Sequence, residues 1–230
     1  MVLGIMKKHW KPLSVAVGCV LGFAAVAGVG QSSAAGAGGA SNGRVGAFAG
    51  STDIGKTVPG STVFDAKTKT YQVSGGGADM WGSEDAFRFT WVKLTGDAAI
   101  SAVVEVPADA PVANEKAVLI FRQSMEPGSA YADIAVHADG HATLQLRAVA
   151  EGPTADTVAE QHGPMRLKIE RKGDVFTAWT GAATGEWRPA GTTTVVMHGP
   201  VYVGLGMCSH QADALATAKF SDVKIEAGKK

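Results

Sequence analysis

From Thr52 to Glu226 the chain consists of short runs in which apolar and polar side chains alternate. Gly, Pro and Asp-Gly signals separate these runs. Alternation with period two sends successive side chains to opposite faces of a strand. Phe87, Phe89 and Trp91 oppose Arg88 and Thr90, and Ile100, Ala102, Val104 and Val106 oppose Ser101, Val103 and Glu105. No stretch in this region carries a convincing helical period. About a dozen short strands with turns between them predict an all-β, antiparallel two-sheet sandwich or barrel. No linker breaks this region and no long-period repeat runs through it, so residues 52–227 read as a single domain.

The beginning of the chain has a different character. Lys7, Lys8 and Lys11 precede an apolar run from Leu13 to Val29, and small residues follow, Ser32-Ser33-Ala34-Ala35. This is the pattern of a secretion signal over residues 1–35, and it predicts a secreted or periplasmic protein with no membrane span after cleavage. Two alternatives are an uncleaved anchor and lipidation at Cys19, which follows Ala16-Val17-Gly18. Residues 36–51 are rich in Gly, Ala and Ser and read as a flexible linker. The other cysteine, Cys208, lies in the strand-like run Val201 to Ser209. A mature chain with one thiol has no internal disulfide and depends on burial for its stability. Cys208 is expected to be a core-lining, slowly reacting thiol.

Removing Lys7, Lys8 and Lys11 from 21 basic residues leaves 18 against 21 acidic ones, a net charge of −3. With no basic patch before Gly228-Lys229-Lys230, nucleic acid is not an expected partner.

Polar residues concentrate in two places. The first is the loop after Tyr71-Gln72-Val73-Ser74, where Gly75 to Gly77 mark a sharp bend or a close backbone approach and Asp79, Trp81, Glu84 and Asp85 follow. Trp81 either plugs one end of the core or offers a binding surface. On a strand, the neighbours Glu84 and Asp85 would point to opposite faces. The second is a hairpin predicted from Asp139-Gly140, between strands Tyr131 to His137 and Thr143 to Val149. Its parity puts Asp133, His137, Gln145 and Arg147 on one face, away from Ile134, Leu144 and Leu146, with Arg122 and His210 at the edges. An ion pair between Arg147 and Asp133 is one expectation for that face. Tyr202, Gly204, Gly206 and Cys208 share a face whose glycines would leave room for a ligand. Arg, Asp, His and Gln beside an aromatic ring suit a polyhydroxylated ligand, so Arg122, Asp133, His137, Gln145, Arg147, His210, Trp81 and Asp85 are the candidate ligand-binding residues.

His137, His141 and His210 show no transition-metal spacing, and no cofactor is expected, although calcium stays possible because its oxygen ligands leave no short signature. No strand carries the alternating acids of a retaining glycosidase, and no Gly-x-Ser-x-Gly elbow is present.

Several segments together resemble secreted bacterial modules of the concanavalin A-like lectin/glucanase superfamily, in the version found at the end of Tol-type propeller proteins. They are Phe64-Asp65-Ala66, Gly75 to Trp81, Asp85-Ala86-Phe87, Arg122-Gln123-Ser124 with Pro127-Gly128-Ser129, Val201 to Gly204, Ser209-His210 and Phe220 to Val223. The resemblance covers residues 52–226 and implies a jelly roll with a concave face. The superfamily's hydrolases have an acidic strand motif that this chain lacks. The expected function is a non-catalytic module that binds a carbohydrate or glycan on the concave face. The alternatives are a polysaccharide-acting hydrolase or lyase using Asp133 or Glu105 with His137, and a protein-interaction module.

Overall fold

The computed structural model describes residues 43–107, 110–159 and 165–228. The signal segment and residues 36–42 of the expected linker lie outside them. In chain order the strands are β1 (Gly50–Ile54), β2 (Ser61–Asp65), β3 (Thr70–Gly77), β4 (Met80–Trp81), β5 (Glu84–Asp85), β6 (Phe87–Leu94), β7 (Ala98–Glu105) and β8 (Lys116–Arg122). They continue as β9 (Tyr131–His137), β10 (Ala142–Arg147), β11 (Thr154–Ala159), β12 (Met165–Lys172), β13 (Val175–Ala182), β14 (Arg188–Thr194), β15 (Val201–Cys208) and β16 (Gln211–Ala227).

Two antiparallel sheets of seven strands form a jelly-roll sandwich of the concanavalin A-like kind. The first has the order β1-β6-β15-β8-β9-β10-β11 and the second β14-β13-β12-β7-β16-β3-β2. β4 and β5 make a separate two-stranded ribbon. Between the sheets lies the main core, to which Leu119, Phe121, Ile134, Leu144, Val203 and Leu205 come from the first sheet and Ile100, Leu167, Ile169, Phe176 and Phe220 from the second. The alternation read from the sequence fixes the inward faces of β7, β9, β10 and β12, but on β6 the apolar Phe87 and Phe89 face outward while Thr90 faces the second sheet, where it bonds Thr62 at 2.7 Å.

The alternate residues of the first sheet point away from this core, and they form a second apolar cluster. Phe87, Phe89, Val118, Ile120, Tyr131, Ala135 and Cys208 pack there with Ile54 and with Met80 from the ribbon. The ribbon is thus a roof over part of the outer face.

Two local expectations need correction, and two strands lie where the sequence barely signals them. The fold starts earlier than Thr52: Phe48 is fully buried in the main core, edge-to-face with Tyr71 at 5.2 Å, and the Ala47 amide donates to the Tyr71 hydroxyl at 2.9 Å. β11 runs through a polar segment. It is an exposed edge strand, so it has little apolar alternation to show. β14 begins at Arg188. Pro189 and Gly191 disguise it, and an edge position beside a bulge tolerates both. Gly204 and Gly206 leave no ligand space, because a Cβ on Gly206 would lie 2.6 Å from Val118 and 2.9 Å from the Phe87 ring. The triplet Gly75 to Gly77 behaves as expected. Gly77 takes φ +121°, and a Cβ there would lie 1.8 Å from the Ala86 carbonyl.

Candidate functional site

The β9–β10 hairpin pairs as its turn predicts, with Gln145 opposite Asp133 and Arg147 opposite Tyr131. Cross-strand partners share a face, so Asp133, His137, Gln145 and Arg147 do lie together on the outer face of the first sheet. Lys116 and Arg122 join them from β8, where Lys116 is opposite His137.

This face is not an open groove. Arg122, Asp133 and Arg147 are fully buried, and Asp85, Gln145 and His137 nearly so. The cover is the ribbon together with the turns at 124–130 and 149–154. Asp85 is fixed by its amide to the Pro127 carbonyl at 3.0 Å, and Glu151 by its amide to Gly128 at 2.7 Å.

Asp85 is the centre of the arrangement. Arg147 donates to both of its carboxylate oxygens, at 2.7 and 2.8 Å, and Arg122 donates to Oδ2 at 2.5 Å. The expected Arg147–Asp133 ion pair is replaced by this clamp. Two guanidinium groups against one carboxylate leave an excess of positive charge, which carbonyl dipoles offset. Arg122 also donates to Glu126 at 2.7 Å, and Arg147 to Gly82 at 3.1 Å, Ser129 at 3.1 Å and Gly152 at 3.2 Å. Each arginine also lies over an aromatic ring, Arg122 over Phe87 at 5.3 Å and Arg147 over Tyr131 at 5.0 Å.

Beneath the roof, several acceptors are left over. Neither carboxylate oxygen of Asp133 has a hydrogen-bond partner, nor has Oε1 of its cross-strand neighbour Gln145. Burial drives the Asp133 pKa well above its usual range and the Asp85 charge adds to this, against the pull of Lys116 and Arg122. Burial thus favours the protonated form of Asp133. His137 shares a 3.1 Å hydrogen bond with Thr143 through Nε2 and stacks on His141 at 4.0 Å. Burial, with the neighbouring His141 and Lys116, lowers its pKa to about 3, so it is neutral at physiological pH.

At the margin of the roof the side chains of Trp81, Asp79 and His210 reach solvent, while Lys116 beside them is buried. Trp81, on β4, is 40% exposed and so does not plug the core. Two residues earlier, Asp79 bridges Lys116 Nζ at 2.8 Å and His210 Nε2 at 3.2 Å. Burial alone would raise the Asp79 pKa, but Lys116 and His210 outweigh it and hold the carboxylate ionised. The Lys116 ammonium stands 6.0 Å from the Trp81 ring centroid, and His210 takes φ +57°, an uncommon conformation for a residue other than glycine. Asp79 and Lys116 were not among the sequence candidates. Parity along β8, which puts Lys116, Val118, Ile120 and Arg122 on one face, was the available signal for Lys116.

No family model matches the chain, and no curated protein matches it in sequence. Solved structures do match in fold. The chain is similar to a functionally unknown protein from Saccharomyces cerevisiae at TM-score 0.61 and 15% identity, over 78% of this chain and 97% of that one. It is similar to the carbohydrate binding module CBM66 from Bacillus subtilis at TM-score 0.52 and 15% identity, over 80% and 98%. The Bacteroides ovatus Xyloglucan PUL GH43B matches at TM-score 0.50 and 18% identity, over 76% of this chain and 36% of that one. At these identities the likeness is one of fold.

Other candidate residues fall elsewhere. Glu105 and His137 line one cavity of about 490 Å³ at the end of the sandwich, with Val104, Val136 and Asp139. Glu105 is held by Lys219 at 3.0 Å. Asp133 is not part of that lining, so the carboxylates weighed for catalysis do not converge there. Among the described residues, no three His, Cys, Asp or Glu side chains are placed to hold a metal ion. Cys208 is buried, and its thiol donates to the Gly77 carbonyl at 3.4 Å. Burial raises its pKa to about 12.

Proposed function

We propose that this chain is an exported, non-catalytic β-sandwich module that binds a carbohydrate beside the roof of the first sheet. The ligand surface is Trp81 with Asp79 and His210, and the buried Lys116 holds Asp79 from behind. The observation that carries this reading is the half-exposed Trp81 on a ribbon anchored from below by the Asp85 clamp. An aromatic face stacks on a sugar ring, and an ionised carboxylate beside an imidazole offers acceptors and donors to paired hydroxyls. A ribbon held in place before binding loses little further entropy when the ligand arrives. The fold shared with a carbohydrate binding module is in keeping with this use. The buried residues Asp85, Arg122 and Arg147 then act as supports that set the position of Trp81.

A glycan array probed with the purified domain tests the reading. Binding to a defined set of glycans, lost in Trp81→Ala, supports it. Absence of any glycan signal removes it in favour of a protein-interaction module. Release of reducing ends from a polysaccharide would instead establish the hydrolase alternative.

A further inference from the structure

The outer face of the second sheet carries a row of side chains far from Trp81 in the strand order. Alternation on β12 and β13 sends Leu167, Ile169, Phe176 and Ala178 into the core and leaves Arg166, Lys168 and Trp179 outside. Lys168 and Trp179 are cross-strand partners, and the ammonium lies 4.8 Å from the indole centroid. The Arg166 guanidinium lies 4.4 Å from the Trp187 ring and is fixed by the carbonyls of Ala182, at 3.1 Å, and Gly185. The row continues from Lys168 across Ser101 on β7 to Lys224 on β16. Arg166, Lys168, Trp187, Ser101 and Lys224 line a groove of about 210 Å³ with Asp222 and Glu226.

Charge pairing on this face is uneven. Lys219 pairs with Glu105 at 3.0 Å, Lys172 with Glu170 at 3.3 Å and Lys224 with Asp222 at 3.1 Å. Arg166 and Lys168 have no carboxylate partner among the described residues, and each lies over a tryptophan of this face. Glu226, on the same strand face as Lys224, keeps the β16 end of the groove unfavourable to anions. The anion-accepting part is therefore the Arg166–Lys168 pair, beside the Trp187 indole that lines the groove. Two unpaired cations are too few to hold a polyphosphate chain, whose binding scales with the number of phosphates neutralised. A carboxylate attached to a flat sugar ring matches both elements, the charge to the cations and the ring to an indole.

We infer that this groove is a second, independent binding site, for a uronate residue of an acidic polysaccharide. Isothermal titration of the full chain with a galacturonate tetrasaccharide, with a neutral galactose tetrasaccharide and with tetraglutamate tests it. The galacturonate is expected to bind, with affinity that falls as salt rises. Lys168→Glu and Lys168→Ala should each weaken it by tenfold or more, with an unchanged circular dichroism spectrum, and Trp81→Ala should leave it as in the wild type. Failure of galacturonate to bind overturns the inference, as does equal binding of the neutral sugar or of tetraglutamate, or indifference to both Lys168 variants. Loss in Trp81→Ala alone would place the ligand on the other sheet and also overturn it.

Discussion

Arg147 holds Asp85, 62 residues earlier in the chain, through two parallel hydrogen bonds of 2.7 and 2.8 Å, with both side chains fully buried. This pair ties the ribbon to the β10 end of the first sheet. The most prominent polar residues of the sequence are thus used first to close the fold, and the surface available to a ligand lies where the ribbon meets solvent.

Arg147→Ala is accordingly expected to destabilise the domain strongly. It removes one partner of a buried ion pair and leaves several carbonyls unpaired. Such losses cost about 3–5 kcal/mol, against roughly 0–1 kcal/mol for a surface pair. Urea denaturation followed by tryptophan fluorescence measures the difference. A midpoint like that of the wild type would show that the clamp adds nothing to stability.

Much of this was legible in the sequence, and the boundary is instructive. Strand parity placed Asp133, Gln145 and Arg147 on one face, because residues opposite each other in a hairpin must share it. Parity cannot say whether that face is covered. Only two residues on each strand of the ribbon, Met80–Trp81 and Glu84–Asp85, decide the matter, and so short a hairpin carries no periodicity of its own. The adjacency of Glu84 and Asp85 did give their opposite directions, with Glu84 exposed and Asp85 buried. Phe48 was hidden by its Gly- and Ala-rich surroundings, although it packs against Tyr71 as any core aromatic would.

Asp133→Asn should reverse a pH dependence. The folded-state pKa of Asp133 lies well above the unfolded value, so the native state holds the extra proton. Its contribution is fully present below the unfolded pKa and is lost as pH rises towards the folded one. Asparagine mimics the protonated form in carrying no charge at any pH. The variant is expected to match the wild type below about pH 4 and to exceed its stability increasingly as pH rises above that. Thermal melts across that range check this, and a variant destabilised equally at every pH would rule out a protonated Asp133.

His137 works in the opposite direction. Its pKa is depressed to about 3, so its contribution is present above the ordinary histidine pKa near 6.5 and is lost as pH falls through about 3. In proton NMR the His137 ring should keep its neutral chemical shifts down to pH 5. Titration near 6.5 would mean that solvent reaches the ring.

Cys208 should resist thiol reagents in the native state, since its pKa of about 12 leaves almost no thiolate at neutral pH. Labelling should become stoichiometric only in denaturant. Rapid reaction of the folded protein would contradict its place beneath the Gly77 carbonyl.

The most direct measurement is a titration of the best glycan-array ligand into wild-type protein and Trp81→Ala, each first shown to be folded by its melting curve. Loss of the stacking platform is expected to weaken binding by about tenfold or more, equivalent to ~1.4 kcal/mol, with the melting temperature unchanged because Trp81 is half exposed. An identical dissociation constant for the two proteins would contradict a carbohydrate site beside the roof of the first sheet.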